Sequence, residues 1–525
     1  MAVERRTFLK GGAATAGGLA LAGPFSGLVA GPAAGATPGA APGAAGSTGR
    51  GGAAFRGLRP TPDLRDGKVR LHLPEGFSYR SFHDTESPVT LDDGTALPGR
   101  HDGMGAFRPR RRKDGRRDDP DSGDRRGGGK DHDDDTVVLV RNHEVNNPGP
   151  AFGPVGDHTY DPMAKGGCTV IEVSTRGEVR RSWTGLNGTM MNCSGGQMPW
   201  GAWVTCEETV NGPDVGPDFT GASNIPLTKP HGYVFEVPTT GRASGRPITR
   251  AGRFAHEAVA FDPKDGYLYL TEDNFAFPSG YYRYKPKRHP MRSGHLDNDG
   301  QLQMLAVKGM PNAHLEAEQR RGASYKVQWV DIDDPDPTFP YTPGQVAPTT
   351  NDQAIVHVGD QGRAQGAAGF SRLEGQVYDD GVIYFTSTQG GGEAMTGPDN
   401  VDGYGRGFGQ VWAYDTRSER LRLVYQSPGK ATFDFPDNIT VSNRGTLVVC
   451  EDDDEDNYVR GLSPRGQLWD IALNRVESSR TGLPRYDDEF AGSTFSPDGQ
   501  TLFVNIQASA GMSFAIWGPW KSIGV

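Results

Sequence analysis

The chain has 525 residues, 75 of them glycine, and a formal net charge of −10 at pH 7. This length is sufficient for one large domain or several small ones. The acidic balance argues against nucleic acid as a partner. No run in the mature chain approaches the roughly 18 consecutive apolar residues of a membrane-spanning helix, so we expect no transmembrane segment there.

The N-terminus has the features of an export signal. Residues 4–10, ERRTFLK, have the twin-arginine form, and the A-x-A sequence at 34–36 is typical of a cleavage site. We therefore assign 1–36 to a signal peptide, 37–54 to a disordered Gly/Ala/Pro linker and 55–525 to a single mature domain. The expected partner is the twin-arginine export machinery, and the expected location is extracellular or in the cell envelope. A plain disordered tail is the alternative.

Residues 108–135 mix dense charges of both signs with Gly and Pro and contain no apolar side chain to bury. This composition predicts a disordered, solvated insertion, with contact to an anionic surface as the alternative. The four cysteines are too few for a disulfide framework in so long a chain, although one bridge is possible. They are Cys168, Cys193, Cys206 and Cys450.

One short apolar strand recurs along the chain at spacings of about 50 to 115 residues, each time ending in polar or acidic residues. Its six copies are VVLVRNHE (137–144), GAWVTCEET (201–209), GYLYLTED (266–273), GVIYFTSTQ (381–389), GTLVVCEDD (445–453) and GQTLFVNIQ (499–507). Each copy follows a related segment, namely HDGMGAF (101–107), NCSGGQMPW (192–200), HEAVAFDPKD (256–265), RLEGQVYDD (372–380), FPDNITVSN (435–443) and EFAGSTFSPD (489–498).

Repeated strand–turn–strand units, often followed by a third strand, predict an all-β fold, a six-bladed β-propeller with loop insertions. Each blade alone exposes an apolar face, and a ring of blades buries it. We interpret long stretches between blades, such as 286–355, as insertions on one face. A two-sheet sandwich is the structural alternative, although a sandwich has no reason to repeat in this way. We expect the mature protein to be a monomer.

A propeller places the starts of its innermost strands around a central channel. The residues that the repeat aligns there are Asp102, Cys193, Glu257, Glu374, Asp437 and, in the last copy, Ala491. The ends of the following strands add Asn142, Glu144, Glu207, Glu208, Asp273, Glu451 and Asp452.

So many carboxylates cannot share one channel in ionised form without cations. Oxygen ligands favour hard ions, above all Ca²⁺, whereas a thiolate among them indicates a softer or redox-active metal. Taken singly, the acidic runs are also compatible with solvated loop ends, and Cys193 with a small buried apolar side chain. The register of the repeat favours the metal site, because it directs these residues to one axis.

Several of these motifs together resemble the PhoX-type alkaline phosphatases. The similar segments are NCSGGQMPWGAWVTCEE, RFAHEAVAFDP followed by YLTED, FSRLEG, FPDN, and AGSTFSPDGQTLFVNIQ with its closing FAIWGPW. The resemblance implies a six-bladed propeller whose axis holds two oxo-bridged ferric ions and several calcium ions. It also implies that the protein hydrolyses phosphomonoesters, which are small-molecule substrates. The sequence departs from the family at the insertion 108–135 and at 508–511, where the family usually has Pro-Gly.

The resemblance also implies roles for individual residues. Cys193 corresponds to an iron ligand, and Arg372 to the residue that holds phosphate. The glutamates implied as metal ligands are Glu207, Glu208, Glu257 and Glu374. We take Arg372, Glu374 and Cys193 as the catalytic set. For the remaining candidate metal ligands the motif gives a place but no individual role; these are Asn142, Glu144, Asp273, Asp437, Glu451 and Asp452.

The sequence contains no serine-nucleophile elbow or catalytic triad motif, which argues against a covalent serine mechanism. Two other classes of function remain open. One is a calcium-dependent propeller hydrolase of phytase or lactonase type, which would leave Cys193 and Arg372 unexplained. The other is a non-catalytic exported binding propeller, in which calcium only stabilises the fold.

Overall fold

The computed structural model describes residues 57–109 and 135–525. The predicted signal peptide (1–36), the linker (37–54) and nearly all of the predicted disordered insertion (108–135) lie outside the described residues. Within them the fold is all-β, with three short α-helices and two 3₁₀ helices. No helix in this part of the chain is long and apolar enough to cross a membrane.

The strands are β1 (Arg59–Pro62), β2 (Val69–Leu73), β3 (Ser78–Phe82), β4 (His101–Phe107), β5 (Thr136–His143), β6 (Gly166–Ser174), β7 (Val179–Thr189), β8 (Asn192–Met198), β9 (Ala202–Glu207), β10 (Val234–Pro238), β11 (His256–Phe261), β12 (Leu268–Glu272), β13 (Tyr281–Pro286), β14 (Gly300–Val307), β15 (Ser324–Asp331), β16 (Leu373–Asp379), β17 (Val382–Ser387), β18 (Gln410–Asp415), β19 (Arg420–Gln426), β20 (Pro436–Val441), β21 (Leu447–Glu451), β22 (Tyr458–Leu462), β23 (Leu468–Asn474), β24 (Glu489–Phe495), β25 (Thr501–Gln507) and β26 (Met512–Trp517). The helices are α1 (Pro290–Ser293), α2 (Asn351–Ile355) and α3 (His357–Ala364), with 3₁₀ turns at Thr249–Ala251 and Trp520–Ile523.

The arrangement of the strands is propeller-like. The first strand of each sequence repeat contacts the first strand of the next repeat, in the order β4, β8, β11, β16, β20, β24, and β24 returns to contact β4. Behind each of these inner strands the following strands pair antiparallel. Near the N-terminus, β3 pairs with β26 close to the C-terminus, so the two ends of the described chain complete one sheet.

The prediction of six separate blades is wrong in its count of sheets, because the described residues form five hydrogen-bonded sheets. Two sheets have four strands, and the others have three, six and nine. The nine-stranded sheet arises because β15 pairs with β19 and so joins the third and fourth repeats. The stretch 286–355, predicted to be an insertion, contains β14 and β15 and therefore supplies this connection.

The apolar core lies between neighbouring sheets, where side chains from both faces pack together. Cys450 packs with Leu71, Tyr79 and Phe514 in one such layer, and Cys168 and Cys206 lie in two others. All four cysteines lie in the described part of the chain and are free. Only Cys193 lies outside these core layers, in the first strand of its repeat.

Each of the six inner strands in the described chain contains a β-bulge, which adds one residue to the strand relative to its partner. In five strands the bulge comes directly after the first paired residue, whereas in β24 it lies between Ala491 and Thr494. A bulge bends the strand and redirects a side chain. In β24 the bulge holds Gly492, which has a φ of 61° and sits against the backbone of Asp102.

We predict that Gly492→Ala destabilises the protein strongly. An added Cβ would overlap the carbonyl oxygen of Asp102, and the left-handed backbone costs a further ~1–2 kcal/mol for any residue with a Cβ. Gly445 is the matched control, because its φ is 77° but, among the described residues beyond its chain neighbours, no atom lies within 4 Å of where its Cβ would be. Thermal unfolding should show a larger drop in Tm for Gly492→Ala than for Gly445→Ala. Equal drops would mean that the close approach of β24 to β4 is not important.

Candidate metal centre

A cavity of about 430 Å³ lies at the centre of the ring of inner strands. Its floor is formed by the acidic groups Asp102, Glu144, Glu208, Glu257, Asp273, Glu374, Asp437, Asp452 and Glu489, together with the thiol of Cys193. Arg100 is the one basic residue among its lining residues in the described chain. The cavity is therefore strongly acidic and contains little internal positive charge.

The bulges of five inner strands supply the first layer of this floor. The first bulged residue of each strand is Asp102, Cys193, Glu257, Glu374 or Asp437. The repeat therefore aligned these five residues correctly. In the sixth strand the later bulge puts Gly492 rather than Ala491 at the equivalent position, and Gly has no side chain to offer.

The second layer comes from the residue that follows the end of the next strand in the repeat. These residues are Glu144, Glu208, Asp273 and Asp452, and all four line the cavity. Neighbouring residues of an extended strand point to opposite sides. The residue immediately before each of them therefore points away from the cavity, and this alternation separates Glu208 from Glu207 and Asp452 from Glu451.

Glu207 accordingly does not line the cavity. Its carboxylate accepts hydrogen bonds from the backbone N–H groups of Met190 and Gly232, both at 2.9 Å, and contacts Nδ1 of His231 at 2.6 Å. Although burial by itself lowers the pKa of His231, the carboxylates of Glu207 and Asp161 raise it to about 9. Glu207 therefore forms a buried ion pair that links two loops, and its predicted role as a metal ligand does not fit this position.

Asn142 and Glu451 are also absent from the cavity lining, and both side chains have partners elsewhere. The Asn142 amide donates to the carbonyl oxygens of Cys193 and Ser194 at 2.8 and 2.7 Å, and its oxygen accepts from Trp203 Nε1 at 3.0 Å. Glu451 forms an ion pair with Arg460 at 3.0 Å. Asn142 supports the backbone of the bulge that carries Cys193, so it positions a cavity residue instead of contacting the cavity itself.

Three overlapping groups in the described chain have the spacing of metal ligands. In each, one ligand atom per residue lies within 4.8 Å of the others. The groups are Asp102 with Glu144 and Cys193, Cys193 with Glu208 and Glu257, and Glu257 with Glu374 and Asp437. Cys193 and Glu257 are shared between adjacent groups, so the donors form one continuous row across the axis.

The electrostatics of the row are unfavourable without cations. Burial is the largest cause that raises the carboxyl pKa values, and the charge of neighbouring carboxylates raises most of them further; the affected residues are Asp102, Glu144, Glu208, Glu257, Asp273, Glu374, Asp437 and Glu489. For Asp102 and Glu208 the pKa is about 8. Burial and then the charges of Glu208 and Glu257 also raise the pKa of the Cys193 thiol well above its ordinary value.

This donor set fits metal ions on chemical grounds. Carboxylates held together against their own repulsion are ligands for hard divalent and trivalent ions. The thiol lies 2.6 Å from a Glu208 oxygen and is the only thiol among the cavity-lining residues of the described chain. A bound cation would reverse the upward pKa shifts, because it favours the charged form of each ligand.

Arg372 lies behind this row. Its guanidinium donates to both oxygens of Asp273, at 3.1 and 2.6 Å, and to Glu374 at 2.7 Å. It is buried and does not belong to the cavity lining. Its φ of 41° is unusual for a residue with a side chain, and such backbone strain is concentrated at functional sites. In this structure Arg372 therefore holds two carboxylates in place.

Three charged or amide side chains beside the acidic floor were not predicted from the sequence. Arg100 forms an ion pair with Glu144, Gln507 donates to Asp102 at 2.6 Å, and Glu489 begins β24. The aligned segments begin just after Arg100, and Gln507 ends a repeat strand. Glu489 is the first residue of the EFAGS segment, which the repeat contains. Because the bulge of β24 is displaced, the alignment of the repeats did not place this carboxylate at the cavity.

A family model described as alkaline phosphatase PhoX matches residues 56–510. No curated protein matches the chain. Among solved structures, it is similar to a gluconolactonase from Xanthomonas campestris, with 12% identity over 88% of this chain and 99% of that chain and a TM-score of 0.35. It is also similar to virginiamycin B lyase from Staphylococcus aureus, with 10% identity over 84% and 99% and a TM-score of 0.32. Likenesses this distant say nothing about activity.

We predict opposite effects for the adjacent residues Glu207 and Glu208 in chelator-treated protein. Glu207→Gln leaves a buried imidazolium without one of its partners, so it should lower the stability by about 3–5 kcal/mol. Glu208 has a pKa of about 8 against an ordinary 4.5, so its ionisation opposes folding as pH rises between these values. Glu208→Gln should therefore raise the Tm at pH 8 relative to the parent. A loss of Tm as large as that of Glu207→Gln would contradict the assigned orientations.

Proposed function

The chain belongs to the alkaline phosphatase PhoX family, and from this membership we propose that it is an exported enzyme that hydrolyses phosphomonoesters in the axial cavity. The observation that carries the proposal is the convergence of a thiol and a row of carboxylates in one cavity, at positions that match the family motifs. We propose that the row binds iron and calcium. The N-terminal twin-arginine sequence supports export to the extracellular or envelope space.

We propose that two ferric ions and several calcium ions occupy the cavity. Cys193 is the ligand best suited to iron, since Fe³⁺ accepts a thiolate and Ca²⁺ prefers oxygen. The carboxylate ligands in this proposal are Asp102, Glu144, Glu208, Glu257, Asp273, Glu374, Asp437 and Asp452. When bound, such ions neutralise the charge of the phosphate ester and lower the pKa of water that attacks phosphorus.

The protein's own groups then orient the substrate. We propose that Arg372 binds the phosphate through its planar fork of N–H donors, which a lysine cannot reproduce. This role requires Asp273 and Glu374 to turn from the guanidinium towards cations. Glu374, which contacts Arg372 and belongs to the row of donors, couples metal binding to the release of the arginine.

Hydrolysis of a chromogenic phosphomonoester tests the proposal. Protein purified without chelators should be active, protein stripped of metal should be inactive, and addition of iron with Ca²⁺ should restore the rate. Ca²⁺ alone should restore little, because the site of Cys193 would remain empty of its preferred ion. Full activity in stripped protein would contradict the proposal.

Cys193→Ser should lose the violet colour that a ferric–thiolate bond gives, because a serine hydroxyl ionises poorly at neutral pH. Part of the calcium should remain, since the carboxylates are unchanged. The control is Cys450→Ala, which alters another buried cysteine in an apolar layer away from the cavity and should remain coloured. A coloured, fully active Cys193→Ser would show that the thiol is not a ligand.

Arg372→Lys should keep the iron and the colour but lower kcat/KM by about ten- to a hundredfold, the cost of a lost charge-assisted hydrogen bond. Inhibition by inorganic phosphate should weaken in parallel. Arg100→Lys is the comparison, because Arg100 lines the cavity and is paired with Glu144. If phosphate inhibition weakens in Arg100→Lys and not in Arg372→Lys, the assignment of the phosphate-binding arginine is wrong.

A further inference from the structure

The cavity has a second, apolar wall above its acidic floor. The side chains that form it are Val210, Phe219, Phe275, Phe277 and Ile355. The phosphate group and the metal ions account for the acidic floor and leave this wall without a use. A cavity of about 430 Å³ is in the range of sites for small organic molecules. The apolar side chains of the wall are interspersed with polar ones, among them Asp218 and Asp352.

The residues of the wall are held in place by packing and hydrogen bonds. Val210 and Ile355 belong to a small apolar cluster that also contains Val215, Ala354 and Phe339. The helix α2, which carries Ile355, begins with a capping box at Thr350. The cluster therefore holds two separate connections of the chain against each other at the mouth of the cavity.

Hydrogen bonds also fix the loops that carry the aromatic residues of the wall. Phe275 accepts a hydrogen bond from Tyr404 N–H at 2.7 Å, and Ala276 accepts one from Asp399 N–H at 2.9 Å. The loop of Phe219 is fixed by Asp218, whose carboxylate accepts from Asn211 at 2.8 Å. Phe219 nevertheless keeps 52% of its surface exposed. A large aromatic side chain on an ordered loop beside a cavity is a surface that an apolar group can cover.

The wall continues directly into the acidic site. The ring of Phe275 lies 5.7 Å from the guanidinium carbon of Arg372, and Asp273 precedes it by two residues in the chain. A phosphate held at the floor would therefore place the rest of its ester against Phe275 and its neighbours. Within the described chain the rim adds no basic residue that would favour a second anionic group.

We propose that this wall binds the organic part of the substrate, so that the enzyme prefers phosphomonoesters of apolar alcohols to those of small polar alcohols. The inference rests on the proposed phosphatase function and adds the substrate class. The residues that determine the preference are Phe219, Phe275, Phe277 and Ile355, which touch the alkyl or aryl group and not the phosphate. Burial of each methylene against them adds affinity in proportion to the apolar area removed from water.

Two alkylphosphonates, in which a C–P bond replaces the ester linkage that the enzyme would hydrolyse, measure binding of the apolar group separately from turnover. Calorimetry on the metal-loaded protein should show hexylphosphonate binding at least about tenfold more tightly than ethylphosphonate, because four further methylenes are buried. Phe219→Ala and Phe277→Ala should reduce this ratio to about threefold or less, and Phe277→Leu should restore most of it. Phe219 is half exposed, so its replacement tests the wall without threatening the fold.

Leu64→Ala is the control, since Leu64 is 53% exposed, much like Phe219, but does not line the cavity; it should keep the parent's ratio. Equal affinities of the parent for the two phosphonates, or an unchanged ratio in both phenylalanine variants, would overturn the inference. Turnover of ethyl and hexyl phosphate, whose leaving alcohols have similar acidity, should follow the same order. If neither ester is hydrolysed while the phosphonate preference is present, the proposed function fails and the apolar binding wall stands.

Discussion

The repulsion among the carboxylates on the axis is the constraint on which the rest of the structure depends. The row from Asp102 to Asp437 is largely buried, the ligand atoms within each of its groups lie within 4.8 Å of one another, and Arg100 is the one basic residue among the described lining. Such a row is unfavourable when ionised and becomes favourable when it binds cations. Whether or not a cation is bound, the β-framework must therefore hold these groups together against the repulsion that would separate them.

The framework achieves this through backbone geometry. A bulge at the start of five inner strands directs the first bulged side chain to the axis, and the contacts from β4 round to β24 fix the strands relative to one another. The pairing of β3 with β26 joins the two ends of the described chain. Side chains outside the cavity hold the row in position. Asn142 donates a hydrogen bond to the backbone of the Cys193 bulge, and Arg372 forms ion pairs with Asp273 and Glu374. Rigidity outside the cavity is what allows repulsion inside it.

Much of this arrangement could be predicted from the sequence, because it repeats. The recurring strands, the five residues of the first layer and the special position of Cys193 all followed from the register. Glu207 and Glu451 were misassigned because the two-residue period of a strand was not applied to the acidic pairs at strand ends. Glu489 was missed because the bulge of β24 is displaced. The pairing of β15 with β19 depends on contacts between segments that are distant in the sequence, so no local sequence pattern predicts it.

Elemental analysis of protein purified without chelators tests the central claim most directly, namely that cations hold the axial carboxylates together. The account predicts iron and calcium bound together in stoichiometric amounts per chain, with calcium in excess of iron. It also predicts that both metals remain through gel filtration, since the ligands are buried. A folded, active protein that contains neither metal, or that contains zinc alone, would contradict it.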